Sequence, residues 1–128
     1  MKANFAISLF LALMIASAAH AEQIKYMRYI DDNTDRIPTH TVAPEYPRIA
    51  RRDRIEGEVQ ICYHVDKKGR PYRVAVRDST HRIFERPALR AVKASSYKPL
   101  KRGEKSSGIK TCRTFRFELA PIVAENNS

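Results

Sequence analysis

Between Gly57 and Asp66 polar and apolar residues alternate without a break. Val59, Ile61, Tyr63 and Val65 fall on one side, Glu58, Gln60, Cys62 and His64 on the other. Period two of this quality reads as a half-buried strand. A strand with one apolar face needs a second layer to cover it, so the chain is committed to a layered fold. Asp66-Lys67-Lys68-Gly69 follows as a hairpin turn, with Gly69 free to take positive φ. Tyr72, Val74 and Val76 then form the apolar face of a returning strand that ends near Asp78-Ser79.

The period changes after the hairpin. Phe84, Ala88, Leu89, Ala91, Val92 and Ser95 recur at three- and four-residue spacings, so Ile83 to Ser96 reads as an amphipathic helix. Pro87 sits in its first turn or so, where proline is tolerated, and Arg86, Arg90 and Lys93 face water. Tyr97-Lys98-Pro99 ends it, and Lys101 to Gly108 is a polar loop. A last strand is expected over Ile109 to Leu119. Phe115, Phe117 and Leu119 share one face, with Cys112, Thr114, Arg116 and Glu118 on the other. Upstream, Pro44-Glu45-Tyr46-Pro47 opens the ordered region, with Pro47 in the first turn of a short helix over Arg48 to Arg52.

The order is therefore helix, hairpin, helix, strand. The expected architecture is a small two-layer α+β domain over residues 43–120. Its three-stranded antiparallel sheet has the order 2-1-3, and two helices pack on the face made by Val59, Ile61, Tyr63, Val74, Phe115 and Phe117. Residues 22–42, with Asp31-Asp32-Asn33-Thr34-Asp35 and no hydrophobic period, read as a polar linker or loosely ordered arm. Residues 121–128 read as a frayed tail.

Export is written at the start of the chain. Lys2 precedes an apolar run from Phe5 to Ala16 broken only by Ser8, and Ala19-His20-Ala21 matches an A-x-A cleavage site. The run is shorter than the roughly 20 residues that a spanning helix needs. Residues 1–21 thus read as a signal peptide cleaved after Ala21, placing the mature domain in the periplasm. The alternative is an inner-membrane anchor, in which Phe5 to His20 stays in the bilayer. A formal net charge of +10 favours anionic partners such as envelope polymers or an acidic protein face. Nucleic acid is not expected, because the chain is exported and carries no recognition motif for it.

Cys62 and Cys112 both lie on the face opposite the core, on strands expected to be neighbours. Cross-strand positions bring Cβ atoms to about 4.5–5.5 Å, and an exported chain meets an oxidising compartment, so a disulfide is expected. Closing a loop of about 50 residues, it contributes about 2–4 kcal/mol. His64 shares that face, but Cys62, His64 and Cys112 offer only three ligands at an uncommon spacing, so no metal site is expected. No C-x-x-C is present. Ser79-Thr80-His81 is a turn sequence, His40 sits in a loop context, and Glu85, Glu104 and Glu118 are scattered. The residues read as a non-enzyme without a cofactor.

The combination of motifs resembles one family. Tyr46-Pro47 before a short helix, Gly57-Glu58-Val59-Gln60-Ile61, Val65-Asp66-Lys67-Lys68-Gly69, the Phe84 to Val92 helix, the Tyr97-Lys98-Pro99 exit and the closing Phe115-Arg116-Phe117 strand are similar to the C-terminal domain of TonB energy transducers. The resemblance runs over roughly Val42 to Leu119. It implies a non-enzymatic periplasmic module that grips an outer-membrane TonB-dependent receptor, or another envelope protein, by adding the receptor's peptide as a strand. The edge implied is that of the third strand, with Ile109, Lys110, Thr111, Arg113, Thr114 and Phe115 as the partner-binding residues. A second copy of the chain pairing through the same edge is also compatible with this reading. Transducers of the family keep their N-terminal helix as an anchor and carry a long Pro-rich spacer. Here Glu22 to Ala43 spans at most about 75 Å when fully extended and is not Pro-rich.

Overall fold

The structure, a computed structural model, describes residues 26–32 and 34–122. The signal peptide or anchor expected over residues 1–21 lies outside the described residues, as does most of the tail. In chain order the elements are β1 (Tyr26–Asp32), β2 (Pro38–His40), α1 (Arg48–Arg52), β3 (Gly57–Val65), β4 (Pro71–Ser79), a 3-10 turn (Arg82–Phe84), α2 (Glu85–Ala94), β5 (Ser96–Tyr97) and β6 (Thr111–Glu118).

The three strands and two helices expected from the periodicity are present. β3 lies between β4 and β6, and both pairings are antiparallel, which is the order 2-1-3. Val59, Ile61, Tyr63, Phe115 and Phe117 are buried on one face against Phe84, Ala88, Ala91 and Val92. Tyr46, just before α1, packs edge-on to Phe84 at 5.6 Å and to Phe117 at 5.5 Å. Its hydroxyl donates to the Ile55 carbonyl at 2.5 Å, which satisfies the polar tip of a buried ring. Position 57, where β3 starts, has no room for a side chain: a Cβ there would meet the Thr80 hydroxyl at 2.6 Å and the Phe84 ring at 2.7 Å.

The β3–β4 turn is closed by Asp66, whose Oδ1 accepts from the amides of Lys68 and Arg70 at 2.9 Å each. Gly69 has φ 86°, and its carbonyl accepts from the Tyr97 amide at 2.8 Å. A side chain at Gly69 would collide with the Tyr97 carbonyl as well as strain the backbone.

Two expectations are corrected. Tyr72 does not share the core face with Val74 and Val76; it is exposed and lies beside His64 on the opposite face, ring centroids 5.5 Å apart. The register of β4 slips between the Cys62–Ala75 and His64–Tyr72 pairs, and Arg73 there has φ 51°. A bulge of this kind adds one residue and reverses the side-chain phase beyond it. The second correction concerns the linker. Tyr26–Asp32 is a strand paired antiparallel with β6 over seven register positions, so the sheet has four strands in the order β1-β6-β3-β4. Pro38–His40 is a short strand on β5, which places His40 on a strand and not in a loop.

Arg36, between β1 and β2, ties this segment down. Its guanidinium donates to the carbonyls of Val65 at 3.3 Å, Asp66 at 3.0 Å and Lys98 at 2.9 Å. One buried cation thereby gathers the end of β3, the hairpin turn and the helix exit, using donors arranged in a fixed fork.

The expected disulfide is present: Cys62 and Cys112 are direct register partners on β3 and β6, with Cα atoms 4.1 Å apart. Replacing both cysteines by serine is expected to lower unfolding stability by about 2–4 kcal/mol while leaving the β3–β6 register in place. Urea denaturation with and without reductant measures the loss, and the double variant should be insensitive to reductant.

Candidate functional site

The candidate site is the long edge of β6 that faces away from β3. Period two places Arg113 on the core face with Phe115 and Phe117, and it is fully buried there. A guanidinium taken out of water needs both a counter-charge and hydrogen-bond acceptors. Asp31, its register partner on β1, supplies them: Nε donates to Oδ1 at 2.5 Å and a terminal nitrogen to Oδ2 at 2.7 Å. This is the two-pronged geometry in which arginine binds carboxylate best.

Beneath the ion pair lie two tyrosines. The same terminal nitrogen of Arg113 reaches the Tyr97 hydroxyl at 3.1 Å, and that hydroxyl is 2.5 Å from the hydroxyl of Tyr63. Burial, then the hydrogen bond to Tyr97, push the Tyr63 phenol well above its ordinary range, so it stays neutral. Burial disfavours charge on Arg113, but the Asp31 carboxylate and the two tyrosines outweigh that, and its pKa is raised overall. The cation is permanent, held from three elements: β1, β3 and β5.

The expected partner-binding residues divide along this edge. Ile109 and Lys110 are exposed and precede the strand, Thr111 is buried, and Thr114 is half-buried on the far face. Phe115 is buried in the core, so at that position only the backbone is available to a neighbour. Backbone groups along the edge are engaged by β1, from Asp32 opposite Cys112 to Tyr26 opposite Glu118. Asp31, Tyr63 and Tyr97 were not singled out as site residues by the sequence. The signal for them was Arg113 itself: an arginine in phase with Phe115 and Phe117 calls for a carboxylate.

The other end of the sheet differs. β4 carries two register shifts against β3, begins at Pro71 and presents Arg73, Arg77 and Asp78. Bulges and charges of this kind blunt an edge against strand addition. Among the described residues there is no cluster of His, Cys, Asp or Glu able to hold a metal.

Residues 42–119 match the profile described as Gram-negative bacterial TonB protein C-terminal. The chain belongs to the TonB C-terminal family. Among relatives, protein tonB2 of Pseudomonas aeruginosa is 41% identical over 68 residues, which is 52% of this chain and 25% of that protein. The match therefore spans about a quarter of the length of the curated relative. Two solved structures share the fold. The TonB C-terminal domain of Pseudomonas aeruginosa, a solution NMR structure, has a TM-score of 0.58 at 25% identity, covering 72% of this chain and 94% of that one. The TonB2 protein of Vibrio anguillarum gives 0.54 at 29% identity, covering 70% and 87%. TonB C-terminal domains are non-enzymatic and act in the periplasm. Among the described residues no helix is long and apolar enough to cross a membrane.

Within this TonB domain the ion pair should behave as a coupled unit. Asp31→Ala leaves a buried guanidinium without its carboxylate and is expected to cost about 1–3 kcal/mol, a loss limited by the option of undocking β1. Adding Arg113→Met removes the stranded charge and should recover part of that loss. A double-mutant cycle by chemical denaturation checks the sign; simple additivity would show that the two groups do not interact.

Proposed function

We propose that the domain is a soluble periplasmic binding module that captures an extended peptide by strand addition along β6. The peptide belongs to a TonB-dependent outer-membrane receptor or another envelope protein, in TonB-dependent transport or its modulation. The observation that carries this reading is the regularity of the β6 edge. It pairs with β1 over seven consecutive positions without a bulge, so its backbone geometry suits an added strand. Family membership supports the class of partner. Main-chain hydrogen bonds supply affinity, and Lys110, Thr111, Arg113 and Thr114 tune which peptide is accepted. Such a peptide takes the place of β1, because both use the same donors and acceptors.

This competition shapes the measurement. In an NMR titration of the protein purified from the periplasm with peptides from receptor N-terminal segments, amide shifts should concentrate in Thr111–Glu118 and in β1, with β4 unmoved. Peptides that leave Ile109 to Leu119 unperturbed at millimolar concentration would contradict the reading. So would shifts centred on β4.

A further inference from the structure

We propose that Arg113 makes the β6 edge selective for a strand carrying a carboxylate opposite it, and that the chain's own β1 holds this slot in competition with an acidic extended peptide. The inference deepens the function proposed above and rests on it.

Three observations converge. Arg113 is fully buried and its charge is permanent, so whatever strand lies on β6 must present an acceptor at that level. The present occupant does so with Asp31, bound through two nitrogens of the guanidinium. On the core side the guanidinium donates to the Tyr97 hydroxyl, itself hydrogen-bonded to Tyr63, which orients it toward the strand on β6. A strand that displaces β1 with a neutral residue at this position leaves the cation buried and uncompensated, whereas an aspartate or glutamate restores the pair.

The surroundings favour the same ligand. Lys101, Arg102, Lys105 and Lys110 are exposed in the segment that leads into β6. A chain of net charge +10 with a basic loop beside the slot attracts an acidic peptide over distances near the Debye length. The internal strand competes at the effective concentration set by its tether, so affinity for a free peptide is tuned by how well β1 itself satisfies Arg113.

The test uses synthetic peptides, which avoids variants that fail to fold. One carries the residues of Tyr26 to Asp32; a second is identical except for asparagine in place of aspartate at the position of Asp31. Each is titrated into the wild-type protein and into an Asp31→Asn variant, with binding read by fluorescence anisotropy and its location by amide shifts in β6. The acidic peptide should bind the variant more tightly than wild type, because the internal competitor is weakened. It should also exceed the neutral peptide by about 30-fold or more. Equal binding of the two peptides overturns the selectivity. A concentration-dependent dimer that neither peptide disturbs also overturns it, assigning the slot to a second copy of the chain. Receptor peptides that fail to bind while the acidic peptide is preferred here would refute the proposed function and leave the selectivity of the slot intact.

Discussion

The ion pair between Arg113 and Asp31 is the interaction on which the shape of the sheet depends. A guanidinium in the core has no water to fall back on, and Asp31, in the segment before the domain proper, brings it a carboxylate. Docking that segment as β1 turns a three-stranded sheet into a four-stranded one and converts an open edge into an interior strand. On its other side β6 is stapled to β3 by Cys62–Cys112. β6 is thus held covalently by one neighbour and electrostatically by the other, and only the second attachment is reversible in an oxidising compartment.

That asymmetry is what the proposed strand exchange would draw on. The aromatic core of Tyr46, Phe84 and Phe117, with the disulfide behind it, is built from residues outside β1. Arg36 fastens the chain just after β1 through three carbonyls. β4 closes the far side with bulges and charge, whereas the pairing of β6 with β1 is regular. In the strand addition proposed above, main-chain groups would provide the affinity and the buried Arg113 charge the discrimination.

Much of this was legible in the sequence because the core strands and α2 announce themselves by period. Val59 to Val65 and Phe84 to Val92 have one face each, and burial followed those faces. The cysteine pair was legible for the same reason, since both residues lie in phase on the same side of adjacent strands. What escaped notice had no local signature. The bulge at Arg73 is a backbone event at an ordinary residue, so simple alternation carries Tyr72 to the wrong face. Tyr26–Asp32 lacks apolar alternation, and its partner strand lies far along the chain, so the sequence alone reads as a linker. Arg113 reads as a contact residue, yet its phase with Phe115 and Phe117 means burial, and hence a partner that only the fold supplies.

The central claim is that β1 lies on β6 and is kept there by the pairing of Asp31 with Arg113. Cross-strand nuclear Overhauser contacts between β1 and β6 test it most directly, measured in the wild-type protein and in Asp31→Asn. The account predicts contacts between Tyr29 and Phe115 and between Asp31 and Arg113 in the wild type, weakened in the variant while β3–β6 contacts persist. Wild-type spectra with β3–β6 contacts but none between β1 and β6 would contradict it.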